Sequence, residues 1–442
     1  MLTVDAADTI IRDGAVAVRG CRIVGVGETT ALRKRFVARE TIDARGGVVH
    51  PGFIDAHIHV SQYTARSVLP RMAGTSITMG DWKGALRPED EHASAALAAI
   101  DYLAGGTTGF VDPGTIFEPD AVAAVASETG IRIWLTDPYV ADRGHALKEH
   151  LAELVSPTFL ARWPRDLDDA LSRVGSQLHR NRSSDGLVHA FIGLYGEATG
   201  SDALFAAALA TARRSGVQLQ QHLGYSPASF LTQERELGRP LLADYIDRHG
   251  IDRAVSFIHM NVVTRDDVLR LASAQVRVVW CPYGQLQMLA QPGAQCRQGE
   301  LANAGVVLGL ATDIPRVIDV GAIGSLAMAA GAALGTPLSP RLMMRMRTIG
   351  GAATVGATAD VGSLEVGKRA DIVLRRPAAS EALGQDVSLE TAALGTRAGV
   401  HLVVVNGAVV VRDGACGRVV SHDIVDRAHA SVRSIATRIG LA

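Results

Sequence analysis

Five residues far apart in the chain are of the types that bind a metal ion and activate water: His57, His59, His222, His259 and Asp313. The first two close the run Pro51-Gly52-Phe53-Ile54-Asp55-Ala56-His57-Ile58-His59. Alternate residues of a strand face the same side, so a His-x-His at the end of an apolar run places both imidazoles together. Two neutral imidazoles side by side are the usual start of a metal site. The other three each end an apolar run of their own: Val217-Gln218-Leu219-Gln220-Gln221-His222, Ala254-Val255-Ser256-Phe257-Ile258-His259 and Val306-Val307-Leu308-Gly309-Leu310-Ala311-Thr312-Asp313.

Chemical residues at the ends of several strands are what an α/β fold of the (β/α)8 TIM barrel type predicts for an active site. Through the middle of the chain, strand-like apolar runs alternate with Ala-rich helical runs, the pattern of a parallel sheet with crossover helices. The strands are expected to end near His59, Asp112, Tyr139, Leu194, His222, His259, Cys281 and Asp313. Residues 141–185 are long for one crossover and read as helices at 147–154 and 167–178; a lid and an ordinary helix-rich insertion both fit. Short β-like runs flank the barrel, Ala15-Val16-Ala17-Val18 and Arg22-Ile23-Val24-Gly25-Val26 on one side, Ala370-Asp371-Ile372-Val373-Leu374 and Val400-His401-Leu402-Val403-Val404-Val405 on the other. Asn406-Gly407 predicts a tight hairpin turn into Val409-Val410-Val411. The expected organisation is therefore a β-sandwich domain of residues 1–49 with 362–442, beside a barrel of residues 50–361. At 424–439, Ala428, Val432, Ile435 and Ile439 form one stripe of a helix, read as a packing face.

Composition narrows the function classes. The 442 residues carry a formal net charge of −1, with no basic run, so nucleic acid and membrane surfaces are not expected as partners. Hydrophobic residues make up 48% and aromatics only 5%, which suits strands buried on both faces by Ala, Val, Leu and Ile. No leader-like segment or membrane-spanning run is evident. Cys21, Cys281, Cys296 and Cys416 are scattered without Cys-x-x-Cys spacing, as expected for reduced thiols in a cytoplasmic protein.

These pieces, in this order, resemble the amidohydrolase superfamily over nearly the whole chain, and within it the cytosine/guanine deaminase and triazine hydrolase branch. The matching segments include Pro51-Gly52-Phe53-Ile54-Asp55 before the histidine pair, Gly106-Thr107-Thr108-Gly109-Phe110-Val111-Asp112, Cys281-Pro282, and Gly362-Ser363-Leu364-Glu365-Val366-Gly367-Lys368-Arg369-Ala370-Asp371-Ile372-Val373. The resemblance implies a metal-dependent hydrolase with one ion per chain on His57, His59, His222 and Asp313. That ligand mixture suits Zn²⁺, with Fe²⁺, Mn²⁺ or Co²⁺ in the same geometry. It further implies that Asp313 takes the proton of the attacking water and that His259 hydrogen-bonds the nucleophile or the developing oxyanion. Dinuclear relatives bridge two ions with a carboxylated lysine or a carboxylate; here only Glu197 is placed for that, and it is expected instead to face solvent or substrate.

The pattern breaks at one informative point. The deaminase branch carries a glutamate three residues after the strand-five histidine, where it moves a proton onto the leaving amine. Here the segment reads His222-Leu223-Gly224-Tyr225. A phenol with a pKa of about 10 cannot shuttle protons near neutrality as a carboxylate does, though it can donate a hydrogen bond. Tyr225 is therefore the third expected catalytic residue, with packing under a loop as the alternative. The expected reaction is hydrolysis of a non-peptide C–N bond in an amide, urea, carbamate or substituted N-heterocycle. An aminohydrolase or chlorohydrolase of a purine- or triazine-like ring is the runner-up, and a metal-free scaffold the competing class. His57-Ile58-His59-Val60-Ser61-Gln62 resembles guanine deaminase, where the glutamine contacts the base; Gln62, Trp82, Tyr195 and Glu197 are the expected substrate contacts. Arg66, Trp280, Tyr283 and Gln285 lie on segments near the expected barrel mouth. A small-molecule substrate and a homo-oligomer complete the expectations.

Overall fold

In the computed structural model, which describes residues 1–183, 185–314, 320–376, 389, 392, 397 and 399–441, the chain begins with a hairpin of β1 (Gly14–Arg19) and β2 (Arg22–Glu28). β3 (Val48–Pro51) follows, and after Gly52 the chain enters β4 (Phe53–Asp55). The next strands are β5 (Thr107–Val111), β6 (Arg132–Leu135), β7 (Val188–Ala190), β8 (Ile192–Gly196), β9 (Leu219–Leu223), β10 (Val255–His259), β11 (Arg277–Trp280) and β12 (Leu308–Leu310). β4 to β7 form a four-stranded parallel sheet, and β8 to β12 a five-stranded parallel sheet. The two are halves of one barrel. At one seam the fourth strand is split at Phe191, whose N–H donates to Leu135 (3.1 Å) while that of Ile192 turns to Gln218 (3.0 Å). At the other seam Ala56 N–H donates to Leu310 (3.0 Å), Asp313 N–H to His57 (3.0 Å), and Ile58 bridges Asp313 in parallel.

Strands buried on both faces need near-continuous apolar sequence, and β5, β6, β8, β9 and β10 are buried at every position. Their outward side chains join the crossover helices in one large core that includes Leu204, Leu219, Val255, Phe257, Leu271, Val278 and Leu301. Each such side chain contributes roughly 1.5–3 kcal/mol by leaving water.

Three strands stop short of the sequence expectation, the eighth ending at Leu310 and not at Asp313. The third ends at Leu135 and not near Tyr139, because Pro138 lacks an N–H for the ladder and Tyr139 turns to φ 44°, donating to Gly114 at 2.7 Å. The first ends at Asp55, whose side chain takes the His57 N–H, so the histidine pair stands just beyond the strand. The 141–185 insertion is helical in shorter pieces than expected. The 147–154 run breaks at Leu151 into Leu147–His150 and Ala152–Leu154; the 167–178 run stops at Arg173, and Gly175 at φ 86° starts a separate turn.

The last strands are β13 (Ile372–Arg375), β14 (Val400–Val405), β15 (Ala408–Arg412) and β16 (Ala415–Cys416), ordered β16-β15-β14-β13-β3 in an antiparallel sheet. Asn406 and Gly407 both have positive φ, 51° and 80°, the requirement of the tight turn that their sequence predicts. This sheet faces the β1–β2 hairpin across Ile23, Leu364, Ala370, Ile372, Leu374, Leu402 and Val404, a small β-sandwich built from both ends of the chain. It is fastened to the barrel by a buried pair: Arg132 of β6 donates to Asp371 at 3.0 and 2.9 Å. The C-terminal helix Ser421–Arg438 lies along Pro88–Ala104, its Ile435 packed with Ala65, Trp82 and Leu86. Among the described residues no helix is long and apolar enough to cross a membrane.

We propose the domain boundary of 1–49 with 362–442 against 50–361, although β3 carries the small sheet on to Pro51. Deleting residues 1–49 strips β13 of half of its β3 neighbour and removes the facing hairpin, so the expected product is insoluble. Solubility and turnover of the truncated protein check this; a soluble, active barrel contradicts it.

Candidate active site

All five metal-type residues converge at the C-terminal mouth of the barrel, and none is more than 7% exposed. His57 Nε2 lies 3.3 Å from His59 Nε2 and 3.5 Å from Asp313 Oδ1, and His59 Nε2 lies 3.1 Å from that same oxygen. The His222 ring is 4.8 Å from His57 and 5.5 Å from His259, centroid to centroid. Three overlapping sets bring their ligand atoms within 4.8 Å of one another: His57, His222 and His259; His57, His59 and Asp313; His259, Cys281 and Asp313. A fourth, Asp202, Asp244 and His249, is partly exposed, and Arg248 bridges its two carboxylates.

The ring orientations are set from behind. His222 Nδ1 lies 2.8 Å from the Tyr195 carbonyl. A carbonyl only accepts, so Nδ1 carries the proton and Nε2 keeps its lone pair for the centre. His59 Nδ1 shares a 2.8 Å hydrogen bond with Thr115 Oγ1, and Thr115 N–H is held by Asp112 at 2.8 Å. Gln298 fixes the end of β10 by donating to the His259 and Met260 carbonyls at 2.8 and 3.1 Å. Both His259 (φ 76°) and Asp313 (φ 63°) sit in the left-handed region, a strain of about 1–3 kcal/mol each that the surrounding bonds must hold.

Burial disfavours the charged form of His57, His222 and His259. It lowers His57, takes His222 well below its ordinary value and brings His259 down to about 3. Burial pushes the Asp313 carboxyl up, but hydrogen bonds from His57 and His59 outweigh it, and the group is held well below the usual carboxylate range. Neutral imidazoles and an ionised carboxylate are the ligand forms a divalent ion requires.

The remaining expected residues divide. Tyr225 is half-buried, its ring 4.8 Å from that of His259. A Cβ built on Gly284 would stand 3.4 Å from the Tyr225 ring and 3.0 Å from Asp313 Oδ2, so Tyr225 and the outer carboxylate oxygen share one glycine-floored space. Gln62 is buried, and neither its Nε2 nor its Oε1 has a hydrogen-bond partner among the described residues. Trp82 is buried with its Nε1 equally unpartnered, though its ring packs with Met79, Leu86 and Ile435. Tyr195 lines the wall, its ring 5.4 Å from His222. Glu197 corrects the expectation of a carboxylate facing solvent or substrate. It is buried and accepts from Tyr225 N–H (2.8 Å), Ser226 N–H (3.3 Å) and Ser229 Oγ (2.5 Å), so it holds the start of the helix Pro227–Leu237. Arg66 is paired with Asp101, and Trp280 donates to Gln285, which in turn donates to Gln298. Tyr283 is half-buried on the helix Pro282–Met288.

One residue at the mouth escaped the sequence reading. Lys83, on the helix Met79–Gly84, is buried over the Phe159 ring at 4.7 Å. A lone lysine in a short polar helix carries no local signal of burial.

The sequence matches the model of the Amidohydrolase family over residues 48–410. A 5-methylthioadenosine/S-adenosylhomocysteine deaminase of Desulforudis audaxviator (strain MP104C) is 30% identical over 411 residues, covering 90% of this chain and 89% of that protein. A zinc-bound adenosine deaminase from Xanthomonas campestris superposes with a TM-score of 0.81 at 25% identity, over 96% of this chain and 94% of that one. Atrazine chlorohydrolase from Arthrobacter aurescens TC1, in complex with zinc, shares the fold with a TM-score of 0.80 at 22% identity over 98% of both chains.

Proposed function

Because the chain belongs to the amidohydrolase family, we propose that its histidine–aspartate centre holds one divalent ion, zinc first among the candidates, and hydrolyses a non-peptide C–N bond of a small molecule. One observation carries the reading. Ligands about 2.0–2.1 Å from a tetrahedral ion stand about 3.3–3.4 Å apart. The Nε2 and Oδ1 atoms of His57, His59 and Asp313 are separated by 3.3, 3.5 and 3.1 Å. His222 presents its Nε2 lone pair to the same centre. The bound ion supplies hydroxide near neutral pH by lowering the pKa of water to about 7.

The protein's own groups do the rest. Asp313 Oδ1 is turned to the two histidines, which leaves Oδ2, beside Gly284, to accept the attacking water's proton. His259 is neutral and keeps one N–H to donate to the oxyanion that develops on the substrate. Tyr225, against His259, donates to the substrate carbonyl or to the leaving atom. Gln62, with donor and acceptor both unspent, reads an amide-like edge.

That free amide and the deaminase relatives favour a second reading, an aminohydrolase or chlorohydrolase of a purine- or triazine-like ring. A panel of N-heterocyclic amines, chlorotriazines, amides, ureas and carbamates decides between them: ammonia or chloride points to the ring reaction, another amine to the first reading. A metal-free protein inert on the whole panel contradicts both. A cytoplasmic homo-oligomer belongs to the same proposal.

Asp313→Asn is expected to fold and retain some metal while losing at least about a hundredfold in kcat, since an amide cannot take the water's proton. Near-normal kcat in that variant assigns the base to another group. Tyr225→Phe is expected to lower kcat by roughly tenfold to a thousandfold at unchanged metal content. A silent substitution makes Tyr225 a packing residue only.

A further inference from the structure

Lys83 is 2% exposed, yet its ammonium has little to satisfy it. Among the described residues it makes one hydrogen bond, to the Leu154 carbonyl, long at 3.5 Å, and its ammonium stands over the face of Phe159. It makes no ion pair among the described residues. A buried charge in this condition is costly, and burial drives the ammonium down to about 7 against the pull of Glu153 and Asp313.

The surroundings show why the chain cannot relieve it. A Cβ on Gly80 would collide with the backbone of Val155 and Ser156, so the helix Met79–Gly84 is pressed directly against the 141–185 insertion. Thr78 Oγ1 donates to Val155 O at 3.2 Å and Arg162 to Leu86 O at 2.8 Å across the same seam. Lys83 is thus clamped between a covering segment and the barrel mouth. From it a continuous aromatic wall leads down to the metal-type centre: Phe159 to Trp163 at 5.3 Å, Trp163 to Tyr195 at 4.8 Å, Tyr195 to His222 at 5.4 Å. On that wall Trp163 is 3% exposed, and its Nε1–H has no partner among the described residues. The charges of Asp313 and of Glu153 act on both Lys83 and Tyr195, the two ends of that wall nearest the insertion and the centre.

We propose that Lys83 and Trp163 form an anion subsite above the hydrolytic centre, so that the preferred substrate carries a carboxylate that the ammonium and the indole N–H receive. This rests on the hydrolase reading of the same centre. The carboxylate supplies the missing partner of a buried cation, and a charge-assisted hydrogen bond formed there is stronger than one in water. A neutral substrate leaves the ammonium uncompensated. The subsite therefore selects by charge at one end while the centre acts at the other.

The test uses metal-loaded full-length enzyme and pyridine, pyrimidine, purine and s-triazine rings, each as a carboxylate and as its carboxamide twin. Calorimetry is expected to give at least one carboxylate about tenfold or more tighter than its twin. In Lys83→Met that preference falls below about twofold, while metal content and carboxamide affinity stay unchanged. Trp163→Phe reduces it in part. Lys83→Met is expected to be at least as stable to heat, because it removes an uncompensated buried charge. Three results overturn the proposal: no carboxylate preferred in any pair, a preference that survives Lys83→Met and so belongs to the metal, or a Lys83→Met protein that melts earlier and so needs the ammonium for its fold. Failure of the hydrolase reading is distinct. It appears as a carboxylate preference that depends on Lys83 in a protein that releases no product from any panel compound.

Discussion

The buried Asp55 carboxylate gathers donors from the two ends of the barrel: His57 N–H at 3.1 Å, Thr312 N–H at 3.2 Å, Thr312 Oγ1 at 2.7 Å and Tyr102 Oη at 2.5 Å. His57 and Asp313, 256 positions apart by their numbers, become neighbours because this carboxylate and the Ile58–Asp313 bridge close the first strand against the last. Burial raises the Asp55 carboxyl, and its hydrogen bonds offset only part of that. Without those donors an ionised carboxylate at this depth would be strongly unfavourable. The catalytic mouth is thus a by-product of barrel closure, held by a group that touches no substrate.

Low dielectric then fixes the chemistry. Burial holds His222 and His259 neutral, and the Asp313 carboxylate is held ionised. Tyr195 and Thr115 hold the His222 and His59 rings from outside, and Gln298 holds the His259 backbone. Strained backbone occurs at His259, the last residue of its strand, and at Asp313, just beyond the end of its own. Such strain persists only where neighbouring bonds over-determine it, and these two positions have them on both sides.

Much of this was legible because the decisive residues differ in type from what surrounds them. A histidine or aspartate ending an apolar run is conspicuous, and the run itself reports a buried strand. Asn406-Gly407 was legible for a similar reason, since few pairs accept two positive φ values. The supporting groups were not. Glu197 looked like a free loop carboxylate, and only the tertiary fold brings Tyr225, Ser226 and Ser229 to it. Gln298 acts on a strand 39 residues earlier, and Lys83 is buried by an insertion that local periodicity resolves poorly. The tyrosine in place of the branch's glutamate was visible in the sequence, but its nearness to His259 and Gly284 was not.

We propose that the ion is held by imidazole nitrogen and carboxylate oxygen. A competing set, with Cys281 beside His259 and Asp313, lies in the same pocket of atoms. Without an ion, burial and the charges of Asp313 and Asp55 raise the Cys281 thiol well above its ordinary value. X-ray absorption at the zinc edge of the loaded enzyme separates the two. A shell of nitrogen and oxygen alone at about 2.0–2.1 Å, with outer scattering from imidazole rings, is expected. A sulfur neighbour at about 2.3 Å, or a second metal at about 3.5–4 Å, would contradict it.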